Sequence, residues 1–278
     1  MFEIDNPDVR SAVERALAED VGNGDITTGL TVPEELGASG RFLAKQDFTL
    51  AGIELLPLVF QLGGGADVEL FASSGDHILS GACIASVRGR ARTLLTCERV
   101  SLNFLQRLSG VATLARQHVD AIAGTKARVL DTRKTTPGLR VLEKMAAAAG
   151  GATNHRKGLF DAVLIKNNHI TAAGGVQAAL ERVKSFKGIV EIEVRTKAEL
   201  EEALAAGAKH LLLDNLTPPE AAEWIRFIDG RAIVELSGGI NLASIRAYAE
   251  AGPDFISSGE ITHSAVAVDI SFRLELAS

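Results

Sequence analysis

Aromatic residues and cysteine are scarce in this 278-residue sequence, and each scarcity removes a class of function. One Trp and one Tyr, within an aromatic fraction of 5%, leave too few flat rings for a base-stacking nucleic-acid platform. Cys83 and Cys97 are the only cysteines, and with no C-x-x-C spacing and no Cys/His cluster they suggest no zinc site. They read as buried small hydrophobes in a reducing cytoplasm. No apolar run is long enough to cross a bilayer. The N-terminal stretch shows neither the basic nor the apolar region of a secretory leader. Positive charge is not in excess either: 29 Lys and Arg against 35 Asp and Glu give a net charge of −6. That balance argues against nucleic acid or an anionic membrane as partner. Any anion site must therefore be a local concentration of cations.

The hydrophobic (46%) and charged (23%) fractions are those of an ordinary globular chain with material for a large core. Val9, Ala12, Val13, Ala16 and Leu17 recur at helical spacing behind Pro7, which predicts a first helix. The stretch VGNGDITTG then reads as a loop. Short strands are expected at 41–44, 68–71 and 84–87, with a helix over 53–62. A long helix is expected from Ala91 to Leu108, ending near Ser109-Gly110.

Beyond Gly110 the pattern repeats. Apolar strands at 127–131, 162–165, 189–194, 210–213, 232–236 and 255–257 alternate with helical segments near 139–149, 174–185, 197–206, 217–228 and 241–250. This is the pattern of a parallel sheet covered by helices, and the spacing suits a (β/α) barrel. Six clear strands in place of eight mean an incomplete barrel or a strand without a clear apolar run. No G-x-G-x-x-G follows its first strand, which lowers an open, doubly wound sheet. Val266, Val268, Ile270, Phe272, Leu274 and Leu276 alternate as in a strand, expected to return to the N-terminal sheet. The expected domains are 1–108 with 266–278, and 109–265.

In such a barrel the chemistry sits at the C-terminal ends of the strands. Those ends read Asp131-Thr132-Arg133-Lys134, Lys166-Asn167-Asn168-His169, Glu193-Val194-Arg195, Asp214-Asn215, Ser237-Gly238-Gly239 and Ser258-Gly259-Glu260. Arg133, Lys134, Lys166 and Arg156 are expected to face one mouth. Arginine grips planar carboxylates and lysine supplies a point charge, so the group predicts a ligand with several carboxylates or phosphates. Arg140 and Lys144, on the following helix, read as solvent-facing. The two glycine turns on successive late strands suit backbone binding of a phosphate. Glu193 and Asp214 fit a general base, ribose hydroxyls or Mg²⁺ on phosphates. His155 and His169 fit acid–base groups, and His169 equally a structural histidine. A Schiff-base lysine at 166 and a non-catalytic phosphate sensor are the rival classes.

Seven strings, in order along nearly the whole chain, resemble one family. They are GDITT (24–28), ERVSLNFLQRLSGVAT (98–113), DTRKTTPGLR (131–140), NHRKGLFDAVLIKNNHI (154–170), LLLDN (211–215), SGGI (237–240) and GEITHS (259–264). The chain is similar to the quinolinate phosphoribosyltransferases. The resemblance implies an N-terminal α/β sandwich domain and an incomplete, seven-stranded α/β barrel. It also implies conversion of quinolinate and 5-phosphoribosyl-1-pyrophosphate to nicotinate mononucleotide, CO₂ and pyrophosphate in NAD biosynthesis. Mg²⁺ is the implied cofactor, and a homodimer or larger assembly with shared sites the implied partner state. By position, Arg133, His155, Arg156 and Lys166, with Thr132, would hold quinolinate. Arg99 would reach it from the other subunit. Lys134, Glu193 and Asp214 would face the phosphoribosyl pyrophosphate and its metal. Ser237, Gly238, Gly239, Ser258, Gly259 and Glu260 would hold its 5-phosphate. Lys134, Lys166, Glu193 and Asp214 form the implied catalytic set. Asn167 and Glu260 depart from the family pattern, which usually has Asp and Ala there.

Overall fold

The structure is a computed structural model and describes residues 4–276. The chain divides by packing into two units. The first takes in the chain up to Arg116, 135–151 and the chain from Ser264 onward; the second is 117–134 with 152–263. Compared with the division expected from sequence, 109–116, 135–151 and 264–265 pack with the N-terminal part. Residues 277–278 of the expected returning segment, and 1–3, lie outside the described residues.

The first unit begins with α1 (Pro7–Val21), capped by the Asn6 side chain and burying Val9, Ala12, Val13 and Leu17. Next, α2 (Ile26–Thr31) stands where a loop was expected: the Asp25 side chain accepts from the Thr28 amide at 2.9 Å and starts a helical turn. There follow β1 (Gly37–Ala44), β2 (Phe48–Thr49), α3 (Leu55–Leu62), β3 (Ala66–Leu70), β4 (His77–Ile78) and β5 (Cys83–Arg90). Helix α4 (Ala91–Ala121) runs well past the stop expected at Gly110. A Cβ on Gly110 would lie 2.9 Å from the Val266 carbonyl carbon. Gly110 is therefore a close-approach glycine inside the helix, not its end.

The second unit carries β6 (Arg128–Leu130), then β7 (Val163–Ile165), α6 (Asn167–Ala173), α7 (Val176–Arg182) and β8 (Val190–Val194). It continues with α8 (Lys197–Ala205), β9 (His210–Asp214), α9 (Pro218–Ile228), β10 (Ile233–Ser237), α10 (Ile245–Glu250), β11 (Phe255–Ser257) and α11 (Glu260–His263). Between β6 and β7, α5 (Arg140–Ala149) belongs to the first unit. Its Lys144 is buried and Arg140 half-buried, against the expectation that both face solvent. The neighbouring Glu143 is also buried, and it takes Arg107 at 2.7 Å and the Thr136 amide at 2.9 Å. Such long-range pairing is invisible in a local charge pattern.

The last strand, β12 (Ile270–Leu276), pairs antiparallel with β1, which places it at the edge of a four-stranded sheet in the order β12-β1-β5-β3. Gly40 leaves room there for the Phe272 ring. In the second unit six strands form one parallel sheet in the order β6-β11-β10-β9-β8-β7. A single parallel bridge from Leu130 to Thr153 adds a seventh position beside β6. The seven expected staves are thus six strands and one bridge, and helices α6 to α11 accompany an incomplete barrel. Ile192, Leu211, Val234 and Ile256 form its sheet core.

Candidate active site

The strand ends of the second unit hold nearly every residue singled out by sequence. After β6, Asp131 is fully buried, and its carboxylate accepts from the His155 amide at 2.8 Å and from Asn154 Nδ2 at 2.7 Å. Thr132 Oγ1 accepts from the Lys134 amide at 3.1 Å, and Lys134 is exposed. The Lys134 carbonyl accepts from Thr262 Oγ1 at 2.9 Å. A Cβ on Gly259 would come within 2.8 Å of Lys134 Cδ. Lys134 therefore lies over the turn that ends β11, where only glycine leaves space for it.

On β8, Glu191 and Glu193 are two residues apart and share one face of the sheet. Lys166 Nζ, just beyond β7, is 3.6 Å from Glu193 Oε2, and Arg195 Nε donates to Glu193 Oε1 at 3.3 Å. Burial, then the charge of Glu193, raises the Asp214 carboxyl above its ordinary range, while Arg195 and Lys166 oppose the rise. His169 Nδ1 accepts from the Lys166 amide at 2.9 Å. That contact closes the first turn of α6 and holds the backbone of Lys166.

Ser237 ends β10, and its carbonyl accepts from the Asn215 amide at 3.0 Å. Gly238 has φ +104°, and a Cβ there would stand 2.6 Å from the Asn215 nitrogen. Left-handed backbone and close approach both require glycine at this turn. On the next strand Ser258 is buried and donates to the Ile240 carbonyl at 2.8 Å. Glu260 Oε2 accepts from the Leu242 amide at 2.8 Å and is 3.1 Å from Nε2 of the buried His118. Its carboxylate thus ties the turn after β11 to the loop after β10.

Sequence reasoning missed two acids beneath these turns. His155 Nε2 lies 3.3 Å from Glu191 Oε2 and 3.4 Å from Glu235 Oε2, both acids buried, while its Nδ1 accepts from the Arg156 amide at 2.7 Å. Burial favours the neutral ring, but the hydrogen bonds to Glu191 and Glu235 and their charges outweigh it and push His155 up to about 9. Burial likewise raises Glu191. Arg156 is lowered by burial and then by the like charge of Arg133. Alternate Glu residues inside an otherwise apolar strand, as in VEIEV, were the available signal. Arg99 is exposed on α4, in the first unit.

The arrangement is one rim with a guanidinium pair, two lysines, two adjacent acids and two glycine turns, suited to an anion with carboxylates at one end and phosphates at the other. Residues 25–109 match the N-terminal domain of quinolinate phosphoribosyl transferase and residues 111–273 its C-terminal domain. The chain belongs to the quinolinate phosphoribosyltransferase family. A relative from Nicotiana tabacum, quinolinate phosphoribosyltransferase [decarboxylating] 2a, mitochondrial, is 39% identical over 96% of this chain and 82% of its own. The probable nicotinate-nucleotide pyrophosphorylase [carboxylating] of Bacillus subtilis is 38% identical over 97% of this chain and 94% of its own. The solved nicotinate-nucleotide pyrophosphorylase of Francisella tularensis superposes with a TM-score of 0.93 at 37% identity, covering 97% of each chain. Within this quinolinate phosphoribosyltransferase family member, Glu260 is spent on the Leu242 amide and His118, which accounts for how an acid is accommodated beside a glycine turn. Nothing in the structure explains Asn167. No described helix is long and apolar enough to cross a membrane.

Proposed function

We propose that this protein transfers the phosphoribosyl group of 5-phosphoribosyl-1-pyrophosphate to quinolinate, releasing pyrophosphate and CO₂ and leaving nicotinate mononucleotide for NAD biosynthesis. The observation that carries the reading is the single rim on which Arg133, Arg156 and Lys166 stand with Lys134 and two glycine turns, in a chain of this family. Arg133, Arg156 and Lys166, with Thr132, serve the two carboxylates, and His155, both of whose ring nitrogens are engaged, supports them from behind Arg156. Lys134 faces the pyrophosphate, and the turns at Ser237–Gly239 and Ser258–Glu260 offer backbone N–H groups to the 5-phosphate.

The ring nitrogen of quinolinate forms the bond to ribose C1 as the bond to pyrophosphate breaks, so no protein nucleophile is needed. Positive charge grows at C1 and negative charge on the leaving group. Glu193 and Asp214 stand where they tolerate the first, and Lys134 where it stabilises the second. Loss of the 2-carboxylate then leaves carbanion character beside a quaternised nitrogen, which Lys166 stabilises until that carbon takes a proton. The oxygen donors of Glu193 and Asp214, at adjacent strand ends and mutually repelling, fit a hard cation. Mg²⁺ bound there with the substrate would supply charge neutralisation of the pyrophosphate.

We place Arg99 in the site of a second subunit, and the protein in a homodimer or larger assembly; exposed Arg99, and Ile26 and Leu30 at 77% and 83% exposure, support this. The free thiols of Cys83 and Cys97 support a reducing, cytoplasmic setting. The decisive experiment measures pyrophosphate release on mixing both substrates with Mg²⁺, with nicotinate replacing quinolinate as control. Release is expected with quinolinate and not with nicotinate in its place. Equal turnover of nicotinate would refute the assignment.

A further inference from the structure

Glu191 and Glu235 have no part in the reaction as proposed, yet both are buried among the strands. Their exposures are 8% and 3%, and each brings a carboxylate oxygen to the same nitrogen of His155. With Nδ1 accepting from the Arg156 amide, the ring has one N–H, on Nε2, and one N–H needs one acceptor. A second buried carboxylate, whose Oε1 has no hydrogen-bond partner among the described residues, costs stability that an apolar side chain of similar volume would not. Such an expense calls for a return outside folding.

The contacts made by His155 show what that return is. With Nε2 held by two acids and Nδ1 taking the Arg156 amide, the ring has one orientation. Buried Asp131 fixes the same stretch from another side, through the His155 amide and the Asn154 side chain. On Arg156, the next residue, the like charge of Arg133 acts against the negative charges of Asp161 and then Glu191. Two guanidinium groups left to themselves would spread apart.

We propose that Glu191 and Glu235 are positioning residues: they lock the His155 ring, His155 locks the backbone at Arg156, and the guanidinium is thereby set for the substrate carboxylate before substrate arrives. The inference rests on the dicarboxylate reading of the site. Preorganisation of this kind appears as affinity for the anion concerned and not as fold stability. The same three side chains could ligate a metal, since their donor atoms all lie within 4.8 Å of one another. Separations of 3.3 and 3.4 Å between nitrogen and oxygen are long for a charge-assisted N–H···O bond, and metal analysis of the purified wild type decides between the two.

The test uses the full chain with Glu235→Leu, Glu235→Gln and Glu191→Gln. KM is measured for each substrate by pyrophosphate release, beside the thermal midpoint. Glu235→Leu is expected to raise KM for quinolinate about tenfold with kcat and the other KM changed less than about twofold, the pattern of lost ground-state positioning. Its thermal midpoint should hold or rise. Glu235→Gln, which keeps an acceptor for Nε2, should recover most of the quinolinate KM. An unchanged quinolinate KM in Glu235→Leu overturns the proposal. So does a parallel rise of both KM values with a lower midpoint, or a stoichiometric metal on the purified wild type. If wild-type protein releases no pyrophosphate, the proposed reaction fails by itself. The lock is then read from the ¹⁵N resonances of the His155 ring, which Glu235→Leu should shift and which, unmoved, would overturn it.

Discussion

Gly259 and His155 give the sharpest expectations at the scale of single residues. Gly259→Ala adds one methyl group 2.8 Å from Lys134 Cδ and 3.0 Å from His263 Cδ2. The backbone there is not left-handed, so the strain falls on the side chains, and Lys134 is the flexible one. We expect pyrophosphate release to fall about tenfold or more through displaced charge, with the thermal midpoint nearly unchanged; normal kinetics would separate Lys134 from the turn. For His155 the folded pKa, about 9, lies above the ordinary value. A raised folded pKa means a stabilising contribution that is complete below about 6.5 and is lost as pH rises toward 9. Titration of the imidazole by NMR should show a midpoint well above 6.5. In the doubly substituted Glu191→Gln, Glu235→Gln protein, burial and the Arg156 amide act unopposed, so the midpoint should fall to 6.5 or lower.

Helix α4 carries the expectation at the scale of elements. In an exposed helix Gly→Ala stabilises by about 1 kcal/mol. Gly110→Ala should do the reverse, because the Val266 backbone passes where the methyl would sit, and overpacking costs about 1–3 kcal/mol. Urea denaturation of the variant decides the sign. The same position shows why part of the fold was unreadable. Ser109-Gly110 looks like a helix stop, and only a contact with residues more than 150 positions later makes it a helix interior. Asp25 hid α2 in a similar way, since a capping aspartate amid turn residues reads as loop. All six barrel strands, by contrast, were legible as apolar runs within a few residues of their ends. Their rim of cations and glycines was legible for the same reason: the end of each run marks the site. Glu191 and Glu235 sit inside runs, where period-2 reading assigns them a face but not a purpose.

For the whole molecule the expectation concerns shared sites. If Arg99 serves a second subunit, then Arg99→Ala and Lys166→Ala proteins, each nearly inactive, should complement one another after mixing and subunit exchange. Half of the dimers would be mixed and each mixed dimer would hold one complete site, so recovery approaches about a quarter of wild-type activity. Absence of recovery, with exchange verified by mass spectrometry, would confine Arg99 to its own chain.

The parallel sheet has two ends, the Thr153 bridge beside β6 and strand β7, and residues 154–162 are the chain that joins them. His155 and Arg156 both lie on this seam. In a closed barrel that stretch would be bound into a ladder, and a change of length would propagate through the register of its neighbours. Here the part beyond Arg156 can change length without altering the strand pairings from β6 to β7, while Asn154, His155 and Arg156 stay tied to Asp131, Glu191 and Glu235. The seam is therefore the place to graft a different anion preference onto this scaffold, with the Ser237–Gly239 and Ser258–Gly259 turns left untouched.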